Sequence, residues 1–279
     1  MIKKIKCCVR ELKRWRKLFN ASLNAKSLRC QLQAIYYLSI HYSLGSAKYF
    51  DFLFRFLHDL VAAREGKLIR YCCSVGSENA VIMLRFGNSG DYRIAGEFTE
   101  GIYSEPDFIP EEIHDCGANI GAFSIFAAKK FPLSKLICFE PDRDNLKLLK
   151  KNLELNGIHA EINECGVWNK TGVLYYHPSS SITGQVSEEK SDFPILVQRL
   201  NVTTSKSWVK MDIEGSEYIV IPDMLSRSPL PKFLSLELHY FNVKGRPIVD
   251  ALEKNNYKLR GYIKDFLECV VFDASLDLK

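Results

Sequence analysis

The sequence lacks several features that would each assign it to a class. Its nine cysteines (Cys7, Cys8, Cys30, Cys72, Cys73, Cys116, Cys138, Cys165 and Cys269) are odd in number, scattered, and include no C-x-x-C pair. That pattern excludes a disulfide framework and gives no sign of a zinc site, and it fits a reducing, cytoplasmic compartment. No apolar run approaches the ~18 residues a membrane span requires, and the basic start lacks the uninterrupted apolar core of a signal peptide, so neither export nor a span is expected. Disorder is not the default either: 47% of the 279 residues are hydrophobic and 25% charged, an ordinary globular balance.

The net charge of +5 is unevenly placed. Residues 1–20 carry Lys3, Lys4, Lys6, Arg10, Lys13, Arg14, Arg16 and Lys17 against the single acid Glu11, and the remainder is close to neutral, at about −2. Ile2, Ile5, Val9, Leu12, Trp15 and Phe19 recur at three- and four-residue steps, which predicts a basic amphipathic helix. Such a helix either packs its apolar stripe on a neighbouring segment or docks peripherally on the inner face of an anionic membrane. No aromatic-rich basic strand accompanies the charge, so a nucleic-acid partner is not expected.

Helical spacing continues through Leu28, Leu32, Ile35 and Leu38 to Leu57 and Leu60, predicting a helical subdomain over 1–66. Residues 67–110 change texture: LIRYCCSV, a turn at Gly76-Ser77-Glu78-Asn79, AVIMLRFG, a turn at Asn88-Ser89-Gly90-Asp91, and YRIAGEF read as a small antiparallel unit. From 111 to 279 strand candidates (112–117, 136–141, 159–168, 172–177, 208–213, 233–239, 257–263, 267–274) alternate with helix candidates (119–131, 143–155, 215–226, 246–255). This alternation predicts an open α/β fold with a mainly parallel sheet. The last two strands are joined by only a few residues, so they must form an antiparallel hairpin.

The stretch IHDCGANIGAFSIF places Gly117 and Gly121 at a strand-to-helix junction, where a chain can turn tightly and approach a ligand. Alone, such a loop is equally a turn that packs helix on strand. Glu140, in FEPD at the end of the next strand and about 20 residues further on, is placed to accept hydrogen bonds from a ribose, while Asp142 can cap the following helix. A dinucleotide-dependent oxidoreductase would need a third glycine in the loop, and none is present.

The successive segments DCGANIG, FEPD, NECGVWNKTG and especially KMDIEGSE resemble the signatures of the FkbM family of S-adenosylmethionine-dependent methyltransferases. The likeness extends over about residues 83–240. It implies a class I methyltransferase domain, a Rossmann-like seven-stranded mixed sheet with a C-terminal antiparallel hairpin. It also implies S-adenosyl-L-methionine as cofactor, with Asp115, Gly117, Asn119 and Gly121 around its methionine part, Glu140 at the ribose, and Glu164 and Cys165 near the adenine. Cys165 otherwise reads as a small buried residue. The family's Leu-Asp pair upstream of the fourth strand is replaced here by Leu200-Asn201, which leaves that role unfilled.

Methyl transfer to a hydroxyl needs an aligned acceptor and a group to take its proton. Asp212 and Glu214 are expected on one strand face by period-two spacing, with Glu217 favouring the helix dipole. Asp212 can equally be a simple cap. Glu237 and His239 form a second same-face pair, and the imidazole is the alternative base. Asp212, Glu214, Glu237 and His239 together could hold a divalent metal, although a metal-free site is the expectation. The Ser-rich stretch 177–185 is either a plain connection or a hydroxyl-bearing loop for a sugar. The function implied is O-methylation of a glycan or sugar-bearing small molecule, with a non-catalytic cofactor-fold protein docking at a membrane or on RNA through residues 1–20 as a further alternative.

Overall fold

The computed structural model describes residues 68–75, 77–85, 88, 90–91, 94, 103–178, 184–264 and 270–277. The expected helical subdomain, its basic amphipathic helix and most of the Ser-rich stretch lie outside these residues. The chain divides into two compact units, residues 1–101 and 102–279.

In the first unit β1 (Leu68–Val75) pairs antiparallel with β2 (Glu78–Arg85), and Val75 faces Glu78 across a two-residue connection. Tyr71, Cys73 and Val75 are buried together with Ala80, Ile82 and Leu84, the period-two alternation of a strand pair with one covered face. The expected turn at 88–91 and third strand at 92–98 are not observed where described: Gly90, Asp91 and Ile94 have helical backbone. Asp91 accepts from the backbone amide (2.7 Å) and the guanidinium (2.6 Å) of Arg85, and this buried carboxylate commits the segment to close back on the end of β2.

The second unit runs β3 (Glu112–Cys116), α1 (Ala122–Lys130), β4 (Lys135–Phe139), α2 (Arg143–Leu155), β5 (Glu161–Asn163), β6 (Gly166–Trp168), β7 (Gly172–Pro178), β8 (Gly184–Ser187), β9 (Pro194–Arg199), β10 (Ser207–Met211), α3 (Glu217–Leu225), β11 (Phe233–Leu238), α4 (Phe241–Lys254), β12 (Tyr257–Lys264) and β13 (Val270–Leu276). Seven strands form one sheet in the order β12-β13-β11-β10-β3-β4-β5. Pairing is parallel except at β13, which runs antiparallel to both β11 and β12. This is the class I methyltransferase sheet with its terminal hairpin.

Every residue of β3, β10 and β11 is buried, as the central strands of a sheet covered on both faces must be. Trp208 lies wholly inside, edge-on to Phe123 at 4.9 Å and to Phe233 at 6.1 Å. Its indole N–H donates to Ser235 Oγ (3.0 Å), whose hydroxyl donates to buried Asp273 (2.7 Å), so the polar atoms brought into this core are paired.

The sequence expectation of one strand over 159–168 is corrected. β5 stays on the main sheet, the chain leaves it at Glu164, and β6 starts a second, four-stranded sheet in the order β6-β9-β7-β8. β8 and β9 were not foreseen, and β7 belongs to this second sheet because short connections allow it only antiparallel partners. Trp168, Leu174 and Val197 form its own small core. Among the described residues no helix is long and apolar enough to cross a membrane.

Candidate active site

The main sheet changes direction at β3: the chain passes to β4 on one side and returns to β10 on the other. The crevice beyond the carboxyl ends of β3 and β10 is therefore the topological switch point, where ligands of open α/β sheets bind. On one side of it lies the loop 117–121, on the other the turn 212–216.

The loop is pinned by protein contacts. Gly117 and Ala118 N–H groups donate to Phe139 O (3.0 and 2.9 Å), and the Lys210 ammonium donates to Gly117 O (2.8 Å). A Cβ on Gly117 would stand 1.9 Å from the Asp212 carbonyl oxygen, and one on Gly121 would stand 2.7 Å from Leu149. Both glycines have positive φ, +80° and +88°. In the loop where the sequence expects the methionine part of the cofactor, each glycine makes room for another part of the protein. α1 starts at Ala122 rather than 119 because Asn119 (φ 49°) and Gly121 are left-handed, a conformation no α-helix contains.

Asp115 is wholly buried, its Oδ2 accepting from Ser124 Oγ at 2.5 Å and its Oδ1 lying 3.4 Å from Lys210 Nζ. It thus ties α1 and β10 to β3, with its side chain turned into protein. The backbone N–H of Asn119 donates to Glu140 Oε2 (2.7 Å), and the Asn119 side-chain Oδ1 is buried with no hydrogen-bond partner. Glu140, 5% exposed, also accepts at Oε1 from Asp142 N (2.9 Å). Burial pushes its carboxyl up to about 7, against the lowering effect of these amides. Asp142 caps α2 by accepting from Asp144 N and Asn145 N, as expected.

Glu164 does not join this group. Its side chain is 59% exposed and pairs with Lys150 on α2 at 2.5 Å. Cys165 is buried in the main core, and its thiol is pushed up to about 11 by that burial, which makes it an inert packing residue.

Across the crevice five ionisable side chains converge. β10 ends at Met211, so Asp212 and Glu214 are not strand residues; the left-handed turn at Glu214 (φ 56°) and Gly215 (φ 99°) brings them to one side instead. That turn also delays α3 to Glu217. His239 Nε2 lies 3.1 Å from Glu214 Oε2, 3.9 Å from Asp212 Oδ1 and 4.0 Å from Glu237 Oε1. His239 Nδ1 lies 3.2 Å from Glu217 Oε1. Glu217 is fully buried and accepts the amides of Ile213 and Gly215, both at 2.8 Å. Tyr218 OH donates to the His239 carbonyl, and Lys244 lies over the rings of Tyr218 and Tyr240 at the rim.

The methyltransferase FkbM domain model matches residues 115–259, just over half of the chain and both sides of the crevice. The chain belongs to the FkbM methyltransferase family. The chain is 34% identical over 84 residues to Methyltransferase sdnD of Sordaria araneosa and 32% identical over 63 residues to Methyltransferase 1 of Beauveria bassiana. These stretches cover 28% and 22% of this chain and only 32% and 25% of the two relatives. Among solved structures, methyltransferase FkbM from Methylobacillus flagellatus superposes with a TM-score of 0.41 at 17% identity, covering 66% of this chain and 54% of that one. TYW2 of M. jannaschii in complex with AdoMet gives 0.39 at 17% identity, covering 75% and 86%.

Three residues of this FkbM member went unremarked or were given another role from sequence. Glu217 reads there as a dipole-favourable first-turn acid, yet it clasps the preceding turn and the imidazole; an acid reaching back to amides before its helix resembles half of a capping box, which was the available signal. Lys210 is 5% exposed inside an all-buried strand. Burial opposes its charge, but Asp115, Asp212 and Glu237 outweigh it and hold the ammonium above its ordinary value. A cation flanked by buried apolar positions must have such partners. Tyr176, half-buried on β7, is raised first by burial and then by Asp142, Glu140 and Glu214, which places it within electrostatic reach of both sides of the crevice. No local pattern announces it, because a second sheet delivers it.

Proposed function

We propose that the chain is an S-adenosylmethionine-dependent O-methyltransferase acting on a hydroxyl of a glycan or sugar-bearing small molecule. The observation that carries the reading is the meeting of Asp212, Glu214 and His239 directly across the β3–β10 crevice from the loop 117–121 and Glu140. The residues fit the cofactor. Asn119 Oδ1 is a buried acceptor without a partner, suited to an ammonium or hydroxyl donor, and Glu140 keeps acceptor capacity at Oε2 for a ribose hydroxyl. When bound, S-adenosylmethionine supplies a methyl group on a positively charged sulfur, which leaves with the C–S electron pair as the acceptor oxygen forms the C–O bond.

The protein's part is to hold the acceptor in line and remove its proton. Asp212 and His239 are the proposed acceptors of that proton, with Glu214 beside the imidazole at 3.1 Å from Nε2. Asp212, Glu217 and His239 also offer ligand atoms within 4.8 Å of one another, a set compatible with a divalent cation.

Isothermal titration tests the cofactor: S-adenosylhomocysteine should bind, whereas binding of NAD(P) in its place would sustain an oxidoreductase and end this reading. Radiolabelled methyl transfer into cell-extract fractions then finds the acceptor. With that acceptor, Asp212→Asn and His239→Ala should each slow transfer by about 10²-fold or more at unchanged S-adenosylhomocysteine affinity. If neither slows it, the assignment of the base is wrong.

A further inference from the structure

We infer that Lys210 is a positioning residue for both sides of the crevice: its buried ammonium locks the Gly117 carbonyl, and with it the loop 117–121, and turns Asp212 so that Oδ1 is the oxygen left to the acceptor side. The inference deepens the methyl-transfer reading and rests on it. Lys210 is the penultimate residue of β10 and only 5% exposed. It lies in register with Asp115 of β3 and Ser235 of β11, so its stem has paired strands on either side. From there the ammonium reaches the two places where β3 and β10 give way to their loops. It donates to Gly117 O at 2.8 Å, just beyond its register partner Asp115, and stands 3.9 Å from Asp212 Oδ2, just beyond its own strand.

The two loops meet at this point. Asp212 N–H donates to Cys116 O at 3.2 Å, and Asp212 O fills the space that a Cβ on Gly117 would need. Gly117 itself is left-handed (φ +80°), and a glycine leaves the peptide after it without side-chain restraint. That peptide is held at both ends, its carbonyl by Lys210 and its Ala118 N–H by Phe139 O at 2.9 Å. Its plane is therefore fixed between β10 and β4, and from it the chain runs on to Asn119, whose Oδ1 is the unpaired buried acceptor. On the other side, Asp212 Oδ1 lies 3.9 Å from His239 Nε2, so the carboxylate stands between ammonium and imidazole with one oxygen towards each. The ammonium is balanced within the protein by Asp115, whose buried Oδ1 has no hydrogen bond and lies 3.4 Å from it. A lysine carries three donors and no acceptor, so a single side chain can serve all three oxygens.

The test compares the full-length chain with its Lys210→Met variant, which keeps an unbranched stem and loses the donors. Isothermal titration reads S-adenosylhomocysteine affinity; radiolabelled transfer into the accepting cell-extract fraction reads the KM for S-adenosylmethionine and the limiting rate at its saturation. Both sides of the crevice should suffer: Kd and KM raised about tenfold or more, and the limiting rate lowered about tenfold or more. A raised KM at an unchanged limiting rate would remove Asp212 from the tie and sink the inference. Unchanged values of both in a merely less stable protein would sink it too, since Lys210 would then be structural. The variant leaves the buried Asp115 charge unpaired; if it does not unfold cooperatively, Asp115→Asn/Lys210→Met removes both charges and is held to the same outcomes. Nitrogen-15 NMR of labelled lysine needs no variant: in the wild-type chain the Lys210 ammonium protons should exchange at least about tenfold more slowly than those of Lys147, whose side chain is 78% exposed. Exchange as fast as that of Lys147 would overturn the lock. A wild-type chain that neither binds S-adenosylhomocysteine nor transfers methyl ends the methyl-transfer reading, whereas one that does both while Lys210→Met does so equally well ends only this inference.

Discussion

Glu140 should impose a pH dependence on stability that a substitution can isolate. Its carboxyl is 5% exposed and its pKa is pushed from 4.5 to about 7, chiefly by burial. In the unfolded chain the same group ionises near its ordinary value. Below pH 4.5 both states are protonated and the group is neutral in the balance. As pH rises from 4.5 towards 7 only the unfolded state loses the proton, so stability falls; above 7 both are ionised and the loss is constant. The gap between the two pKa values corresponds to about 3 kcal/mol. Glu140→Gln cannot ionise, but it loses one acceptor and turns an amide group towards the Asn119 or Asp142 N–H, a pH-independent cost of about 1–3 kcal/mol. Urea unfolding of both proteins between pH 5 and 8 gives a difference curve in which all other titrating groups cancel. The wild-type advantage should shrink by about 2–3 kcal/mol over that range. A flat difference curve, or one that grows with pH, would refute a buried, high-pKa carboxyl at this place.

Other perturbations test other parts of the same construction. Gly117→Ala adds a Cβ 1.9 Å from a backbone oxygen at φ +80°, so it should cost at least about 2 kcal/mol and weaken S-adenosylhomocysteine binding; stability within 0.5 kcal/mol of wild type in urea would contradict the geometry. Trp208→Ala should destabilise by about 3–5 kcal/mol in the same assay, because the ring is fully buried among Phe123, Phe126, Phe131 and Phe233 and its loss removes the N–H donor to Ser235 Oγ. Glu164→Ala should change stability by under about 1 kcal/mol, since its partner Lys150 is half-exposed; a tenfold loss of S-adenosylhomocysteine affinity would return it to the adenine site.

Much of this was legible locally. Hydrophobic runs placed β3, β4, β10 and β11 within a residue or two, and the brevity of the connection between β12 and β13 dictated the antiparallel hairpin. FEPD and KMDIEGSE marked the ends of β4 and β10, and Asp142 advertised its cap. The errors fall where conformation depends on contacts far along the chain. Residues 159–168 look like one strand because nothing within them says that β4 accepts only the first half while β9, thirty residues on, claims the second. Asp212 and Glu214 were assigned a shared face by strand period, yet the chain has left the strand by then and a left-handed turn does the work.

The sequence by itself determined the order of the main-sheet strands and their helices, the family and the residue types of the crevice, because these rest on periodicity, punctuation and short motifs that travel with the chain. Only the tertiary structure decided what each polar residue does. Gly117 is a glycine because Asp212, 95 positions later, occupies the space of its side chain. Glu217 is the partner of His239 because β10 and β11 lie side by side. Glu164 faces solvent because the chain departs from the sheet there. Burial and partnership are properties of the packed molecule, and the chemistry of a carboxylate or an imidazole is set by them more than by its neighbours in sequence.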